Sequence, residues 1–137
     1  MSGISVKLPL NIDSSDGPYA LHKDIRGSIK QNLKMLILTI PGERIMDPDF
    51  GVGLIRLLFE NDTADLRSKI HTRIRTQVRK YMPFLRVRET ITPDLNNVNT
   101  SSAHMLNVKI NYFIEPLSEE DLLSIDLTPF NISNDNF

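Results

Sequence analysis

The first apolar pattern along the chain is helical. Over residues 23–38 the apolar side chains recur every three or four positions, so they line one side of a predicted helix. Pro41-Gly42 is expected to end that helix. Residues 53–60 (GLIRLLFE) contain enough leucines for one further short helix. A segment rich in proline and glycine therefore joins two predicted helices.

The next segment predicts a longer helix with a single apolar side. Asp62 or Thr63 is placed to cap its N-terminus, and Pro83 is expected to end it. Its apolar positions recur mostly every four residues: Leu66, Ile70, Ile74, Val78 and Tyr81. Basic residues occupy the rest of the helix, so this surface is expected to face solvent or a partner.

Two later stretches alternate between apolar and polar positions, as half-buried strands do. In residues 85–91 (LRVRETI) the apolar positions are Leu85, Val87 and Ile91. In residues 105–114 (MLNVKINYFI) one face carries Leu106, Val108, Ile110, Tyr112 and Ile114. The polar linker between them, residues 92–104, is expected to be mobile. The pattern predicts an antiparallel hairpin with one buried face.

The order of these elements predicts an α+β fold, with about three helices packed on one face of a small antiparallel sheet. Residues 1–20 predict an extended and poorly structured flexible arm, residues 21–116 the folded domain, and residues 117–137 an acidic C-terminal tail with room for a helical turn over residues 118–125. A two-stranded hairpin is marginal in water. The sheet is therefore expected to have an open edge, which a terminal segment or another chain extends.

The composition excludes several kinds of site. With 137 residues the chain is expected to form one domain, and the absence of cysteine excludes disulfides, zinc–thiolate sites and cysteine nucleophiles. No window reaches the roughly 18 apolar residues of a membrane span, and the N-terminus lacks the apolar core of a secretory signal. We therefore expect no membrane partner.

Charge is unevenly distributed although the formal net charge is only −1. Residues 66–88 contain eight basic and no acidic residues, and residues 116–137 contain five acidic and no basic residues. Three interpretations stay open, in this order: an assembly surface matched to acidic segments of this chain or its neighbours, a solvated helix face, and a nucleic-acid footprint. No nucleic-acid-binding motif is present, so nucleic acid is not the expected partner. The predicted basic surface comprises Arg67, Arg73, Arg75 and Arg79.

Residues 41–62 contain short motifs that occur in known catalytic sites, but the other motifs of those sites are missing from the sequence. Asp49-Phe50-Gly51 matches the magnesium-binding triplet of protein kinases, but the glycine-rich loop, strand lysine and catalytic loop of a kinase are missing. Glu43, Asp47, Asp49 and Glu60 are better explained as turn-forming or capping acids than as a glycosidase pair. The three histidines lack the spacing of metal ligands. We predict no catalytic residue, cofactor, metal or small-molecule substrate.

Residues 26–62 nevertheless follow a specific order: an Ile/Leu helix, a threonine, a Gly-x-Arg turn, Pro-x-Phe-Gly and a Leu-Phe-Glu helix end. The elements are Ile29, Leu33, Thr39, Gly42-Glu43-Arg44, Pro48-Asp49-Phe50-Gly51 and Leu58-Phe59-Glu60. This order resembles the baseplate wedge subunits of contractile phage tails, a family also called lysozyme-like that includes the baseplate component of type VI secretion systems. The resemblance extends more loosely over residues 23–116. It implies a structural joint formed by Gly42, Glu43, Arg44, Pro48, Phe50, Gly51, Phe59 and Glu60.

The resemblance implies a structural, non-enzymatic protein of the virion that assembles in the host cytoplasm. Its implied partners are other wedge proteins and the tail sheath protein, with the tail tube or hub as a further contact. Strand exchange with sheath would use the strand that carries Leu106, Val108, Ile110, Tyr112 and Ile114 as a template. A small peptidoglycan-degrading glycosidase on the same fold is the alternative. The residues leave open a phage, a secretion system or a phage-like particle.

One departure from the family affects the end of the long helix. Members often carry an aromatic residue followed by Glu-Pro-Arg, a motif that docks on the wedge core. The matching positions here are Tyr81, Met82, Pro83 and Phe84, so the aromatic residue and the proline are kept while Met and Phe replace Glu and Arg. The resemblance therefore implies a wedge-core contact that is more apolar, with Arg86 as a substitute charge.

Overall fold

The computed structural model describes residues 3–15, 17–57, 60, 63–91 and 106–127, the last range without the side chain of Leu106. The predicted linker at 92–104, Phe59, Asp62 and the tail beyond 127 lie outside the described residues. The elements are β1 (Ser5–Val6), β2 (Leu21–His22), α1 (Ile25–Leu38), α2 (Leu54–Leu57), α3 (Ala64–Tyr81), β3 (Leu85–Ile91), β4 (Leu106–Ile114), a 3₁₀ turn (Glu115–Leu117) and β5 (Glu119–Leu127).

The helices confirm the predicted α+β class. Helix α1 begins after Asp24, whose side chain accepts a hydrogen bond from the Arg26 N–H, and it ends at Thr39. Thr63 caps α3 by accepting from the Leu66 N–H at 3.2 Å. The described part of helix α2 is Leu54–Leu57, and residues 58 and 59 of the predicted 53–60 lie outside the described residues. None of the helices in the described ranges is long and apolar enough to cross a membrane.

The core lies between these helices and one face of the three-stranded sheet. The predicted apolar stripe of α3 is buried at Leu66, Ile70, Ile74 and Val78. The face of β4 that carries Val108, Ile110, Tyr112 and Ile114 is buried as well. Both periodicities were therefore interpreted correctly, because each element buries one face and leaves the other in solvent.

The sheet has the antiparallel order β3-β4-β5, and this corrects the prediction for the C-terminal segment. Residues 118–125 do not form a helical turn, since β5 spans Glu119–Leu127. Leu123, Ile125 and Leu127 alternate with exposed residues and are buried. A helix would scatter these three side chains around its axis, whereas a strand buries all of them on one face. The extra strand comes from the C-terminal segment, one of the sources considered above.

The N-terminal residues also differ from the predicted poorly structured arm. Strands β1 and β2 pair antiparallel, with Ser5 opposite His22. The side chain of Gln31 on α1 holds this hairpin, because its Oε1 accepts from the Leu8 N–H and its Nε2 donates to the Val6 carbonyl, both at 2.9 Å. Side chains of α1, Gln31 and Ser28 among them, support this pairing, and hydrophobic spacing does not reveal such contacts.

Tyr112 on β4 has its ring in the core and donates its hydroxyl proton to Asp121 Oδ2 at 3.0 Å. Burial, and secondarily the Asp121 carboxylate, raise the pKa of Tyr112 well above its usual 10.0. The folded state thus favours the protonated phenol. This contribution to stability is complete below about pH 10 and is lost as the pH rises further towards the folded-state pKa.

Tyr112→Phe is therefore expected to flatten the alkaline decline in the free energy of unfolding. At neutral pH the variant should lose about 1–2 kcal/mol with the hydrogen bond to Asp121. Urea unfolding from pH 8 to about pH 11 measures both effects. Tyr19→Phe, at an exposed tyrosine, is the control and should decline in parallel with the unmodified protein. A parallel decline of Tyr112→Phe would contradict the assignment.

Candidate interaction surfaces

The segment between α1 and α2, which contains the residues of the predicted joint, is held by hydrogen bonds to its neighbours. Gly51 has a φ of +115°, which glycine adopts far more readily than other residues. Its N–H donates to Gln77 Oε1 on α3 at 3.1 Å, and Gln77 Nε2 donates to the Asp49 carbonyl at 3.0 Å. The Gly53 N–H donates to the Thr39 carbonyl at 2.9 Å. The joint is thus fixed to both long helices.

A row of side chains connects this joint with the C-terminal end of α3. The Arg44 guanidinium lies 3.7 Å from the centroid of the Phe50 ring. Phe50 in turn packs edge-to-face on Tyr81, with ring centroids 4.8 Å apart. Lys80 Nζ lies 3.8 Å from Asp49 Oδ2. Predicted joint residues and the first predicted wedge-core residue therefore form one continuous surface.

Joint residues Ile45 and Met46 add exposed apolar area to that surface, with relative exposures of 95% and 97%. Glu43 and Gly42 close the turn behind them. The Glu43 carboxylate accepts from the Ile40 N–H at 3.0 Å, and the Gly42 N–H donates to the Pro48 carbonyl at 2.7 Å. Sequence reasoning missed Ile45, Met46 and Gln77, because none of them belongs to a periodic pattern.

The corner between α3 and β3 presents only some of the residues expected to contact the wedge core. Met82 is buried, and its N–H donates to the Val78 carbonyl as the C-cap of α3. Pro83 and Arg86 are exposed, while Phe84 is half-buried against the core. Arg86 Nε is paired with the Glu115 carboxylate. The Met82 side chain faces the core, which suits an apolar residue. Met82 is therefore not available to a partner, and the prediction that it contacts the wedge core is wrong.

Strand β4, whose residues are the predicted sheath-template set, is the central strand of the sheet. Its backbone is paired with β3 on one side and with β5 on the other. The side chains of Val108, Ile110, Tyr112 and Ile114 are buried, and that of Leu106 is outside the described residues. Among the described strands of this sheet, a strand from another chain can therefore be added at β3 or β5 but not at β4.

The predicted basic surface divides into two parts. A groove of about 1050 Å³ between α3 and β3 contains the guanidinium-bearing residues Arg75, Arg79, Arg86 and Arg88, which we call the arginine groove. Arg67 and Arg73 lie on α3 outside it. The groove is also lined by His71, Thr72, Thr76, Val78, Pro83, Leu85, Val87 and Glu115.

The acidic residues of the C-terminal segment pair elsewhere. Glu119 and Asp121 contact α1, with 3.2 Å from Arg26 Nε to Glu119 Oε2 and 3.8 Å from Lys30 Nζ to Asp121 Oδ1. Arg88 Nε lies 3.9 Å from a Glu120 carboxylate oxygen. Within the described residues, this segment therefore pairs with α1 and β3.

Two of the four carboxylates discussed above as a glycosidase pair have local roles, since Glu43 closes a turn and Asp49 pairs with Lys80. Within the described residues no three His, Asp or Glu side chains are grouped as metal ligands would be. The chemistry available at these surfaces is apolar contact, ion pairing and backbone hydrogen bonding.

Among the solved structures similar to this chain are one crystal structure and one cryo-EM structure. One is the crystal structure of a "putative tail lysozyme" from Geobacter sulfurreducens, with a TM-score of 0.66 and 16% identity over 83% of this chain and 99% of that one, a likeness of fold alone. The other is a chain in the cryo-EM structure of the anti-feeding prophage baseplate, with a TM-score of 0.62 and 28% identity over 79% of this chain and 82% of that one. No curated protein sequence matches.

The model of one protein family, described as baseplate wedge protein gp25, matches residues 23–116. The match covers well over half of the chain and contains the joint, the corner, α3 and the β3–β4 hairpin. The residues that carry the resemblance in the sequence are thus inside the matched region. This chain belongs to the baseplate wedge protein gp25 family, whose members are structural components of phage-like tail baseplates.

Proposed function

We propose that the chain is a non-enzymatic wedge subunit that docks on the wedge core and gives the first ring of tail sheath a strand edge on which to form. The observation that carries this proposal is a small sheet whose outer strand β5 has no strand neighbour on its far side among the described residues. Such an edge can bind an extended segment of another chain through backbone hydrogen bonds. The subunit would assemble with its partners in the host cytoplasm and remain in the virion.

Strand β5 is a better acceptor than β3. It pairs with β4 in unbroken register over nine residues, from Ile114 opposite Glu119 to Leu106 opposite Leu127. Strand β3 has seven residues, and its register shifts between Val87 and Glu89. Bulges of this kind bend a strand, so the regular stretch of β3 before the bulge is too short to template a long added strand. We therefore assign sheath contact to the outer edge of β5 in place of β4.

Docking on the wedge core would use the opposite part of the molecule. Pro83 and Arg86 are exposed at the corner, and Tyr81 links the corner to the joint through Phe50. The exposed pair Ile45 and Met46 extends this surface with apolar area. Exposed apolar side chains on a braced loop are typical of surfaces that become buried on assembly. The tail tube or hub is a further candidate neighbour.

The sheath part of this proposal predicts a strong effect of Leu122→Lys. Leu122 is exposed on the outer face of β5, and a lysine there should hinder an incoming strand, as edge lysines do in natural sheets. We expect the chain to shorten the lag of cognate sheath polymerisation, measured by light scattering and electron microscopy. The variant should reduce this seeding by about tenfold, equivalent to roughly 1.4 kcal/mol of edge binding.

Asn111→Lys is the matched control, because Asn111 is the register partner of Leu122 on the central strand β4. It places the same charge on the same face, one strand away from the edge. Seeding by Asn111→Lys should be close to that of the unmodified chain, and thermal unfolding should show that both variants are folded. Equal loss of seeding in both variants, or no seeding by the unmodified chain, would contradict sheath templating at β5.

A further inference from the structure

We infer that the arginine groove binds an acidic, extended polypeptide segment of a partner protein. The groove lies beside β3, at the other edge of the sheet from the proposed sheath contact. The inference goes beyond the proposed function, since it depends on the groove alone and holds whether or not β5 templates sheath.

The helix wall of the groove carries uncompensated positive charge. Arg75 and Arg79 are exposed and lie one turn apart on α3, an arrangement of like charges that disfavours the helix. Neither has an ion-pair partner in the part of the chain that the structure describes. Glu115 is the single acidic residue among those that line the groove. An occupant that brings carboxylates would remove this repulsion.

The strand wall offers backbone groups as well as charge. The Phe84 carbonyl accepts from the Glu115 N–H at 3.1 Å, so the backbone of Phe84 faces the β4 side. The Leu85 N–H turns the other way and donates to the Met82 carbonyl. Because backbone groups alternate along a strand, those of Val87 face away from β4 too, and both Leu85 and Val87 line the groove. An extended peptide can hydrogen bond there.

The geometry also specifies the side chains of that peptide. Arg75 and Arg79 lie on the helix side of the β3 edge, and Arg86 and Arg88 alternate with Leu85 and Val87 on the strand. Successive side chains of an added strand point to opposite faces, so carboxylates on both faces would meet arginines. The guanidinium fork can hold each carboxylate through two hydrogen bonds. The existing pairs of Arg86 and Arg88 join highly exposed side chains and are therefore readily exchanged.

A polypeptide fits these observations better than a nucleic acid does. The outward-facing backbone of β3 matches the alternating donors and acceptors of an extended peptide, whereas a phosphodiester linkage offers only acceptors. The chain as a whole has a net charge of −1, and acidic residues of β5 lie close to the groove through the Arg88–Glu120 pair. These acids would repel the continuous charge of a nucleic acid, whereas a short acidic peptide can fit between them.

The test uses the full chain and a short fluorescent peptide of consecutive glutamates flanked by threonines, because such a peptide carries carboxylates on both faces of an added strand. Fluorescence anisotropy should show binding that weakens with added salt, and the same peptide with glutamine in place of glutamate should not bind. The double variant Arg75→Gln/Arg79→Gln should weaken binding by about tenfold or more. Amide resonances of Val87 and Arg88 should shift when the peptide is added.

Lys69→Gln/Arg73→Gln is the matched control, since it removes the same charge from α3 outside the groove. Nearly unchanged peptide binding in this control supports the inference. Equal weakening in both double variants, or equal binding of the glutamine peptide, would overturn it. Single-stranded oligothymidylate that binds more tightly than the peptide, and only with Arg75 and Arg79 intact, would assign the groove to nucleic acid and overturn it as well.

Discussion

Replacing Gly51 with alanine is expected to lower the free energy of unfolding by about 3 kcal/mol or more. The residue has a φ of +115°, and a Cβ atom added to it would lie 2.1 Å from the Thr39 carbonyl oxygen and 2.8 Å from the Thr39 carbonyl carbon. These are backbone atoms at the C-cap of α1, so no side-chain rotation relieves the contact. The joint would have to move away from α1 and lose the hydrogen bond from the Gly53 N–H to Thr39.

Gly17→Ala separates the clash from the cost of the backbone angle. Gly17 has a φ of +118°, close to that of Gly51, but nothing lies within 4 Å of a Cβ atom built there. Its replacement should therefore cost only the conformational penalty, about 1–2 kcal/mol. Urea unfolding of both variants measures the difference. Equal losses would mean that the joint accommodates a methyl group and is not the rigid connection described above.

Movement of the joint would also affect the corner. Phe50 follows Asp49, whose carbonyl is held by Gln77, and the Phe50 ring packs on Tyr81 at the end of α3. A variant that shifts Gly51 changes where both aromatic rings lie. The large stability effect of Gly51→Ala is thus coupled to the surface that we propose for wedge-core docking.

The periodic parts of the fold could be predicted from the sequence because each element buries one continuous face. Leu66, Ile70, Ile74 and Val78 repeat every four residues, and the buried positions of β4 repeat every two. β5 was missed since three acidic residues precede its buried positions, and a short run of Leu and Ile fits a helix or a strand. Pairing with β4 selects the strand over the helix, and the local sequence does not indicate this contact with another element.

The surfaces were predictable only where local chemistry determines them. The positive φ at Gly51 and the turn at Gly42 follow from their residue types and neighbours. The contact of Phe50 with Tyr81 and the bracing by Gln77 join segments distant in sequence, so no local pattern indicates them. The division of the basic surface into residues inside and outside the arginine groove also depends on contacts between segments distant in sequence. Arg75 and Arg79 line the groove because β3 lies beside that part of α3.

Removing residues 119–137 is expected to unfold the domain. The deletion takes away β5, whose buried Leu123, Ile125 and Leu127 complete the core. Burial of each such side chain is worth about 1.5–3 kcal/mol, so the set approaches the whole stability of an ordinary domain, about 5–15 kcal/mol. The deletion would also expose the full edge of β4 and leave the β3–β4 hairpin, which is marginal on its own. Circular dichroism and amide proton spectra should report loss of the native state.

Removing only residues 128–137 is the matched control, because it leaves every described contact of β5 in place. This shorter deletion should keep a cooperative thermal transition close to that of the full chain. These two outcomes together would place the end of the folding unit after Leu127, whereas the family match ends at residue 116. A folded protein lacking residues 119–137 would mean that helices and hairpin suffice, and β5 would then be an exchangeable strand that a neighbouring chain could replace.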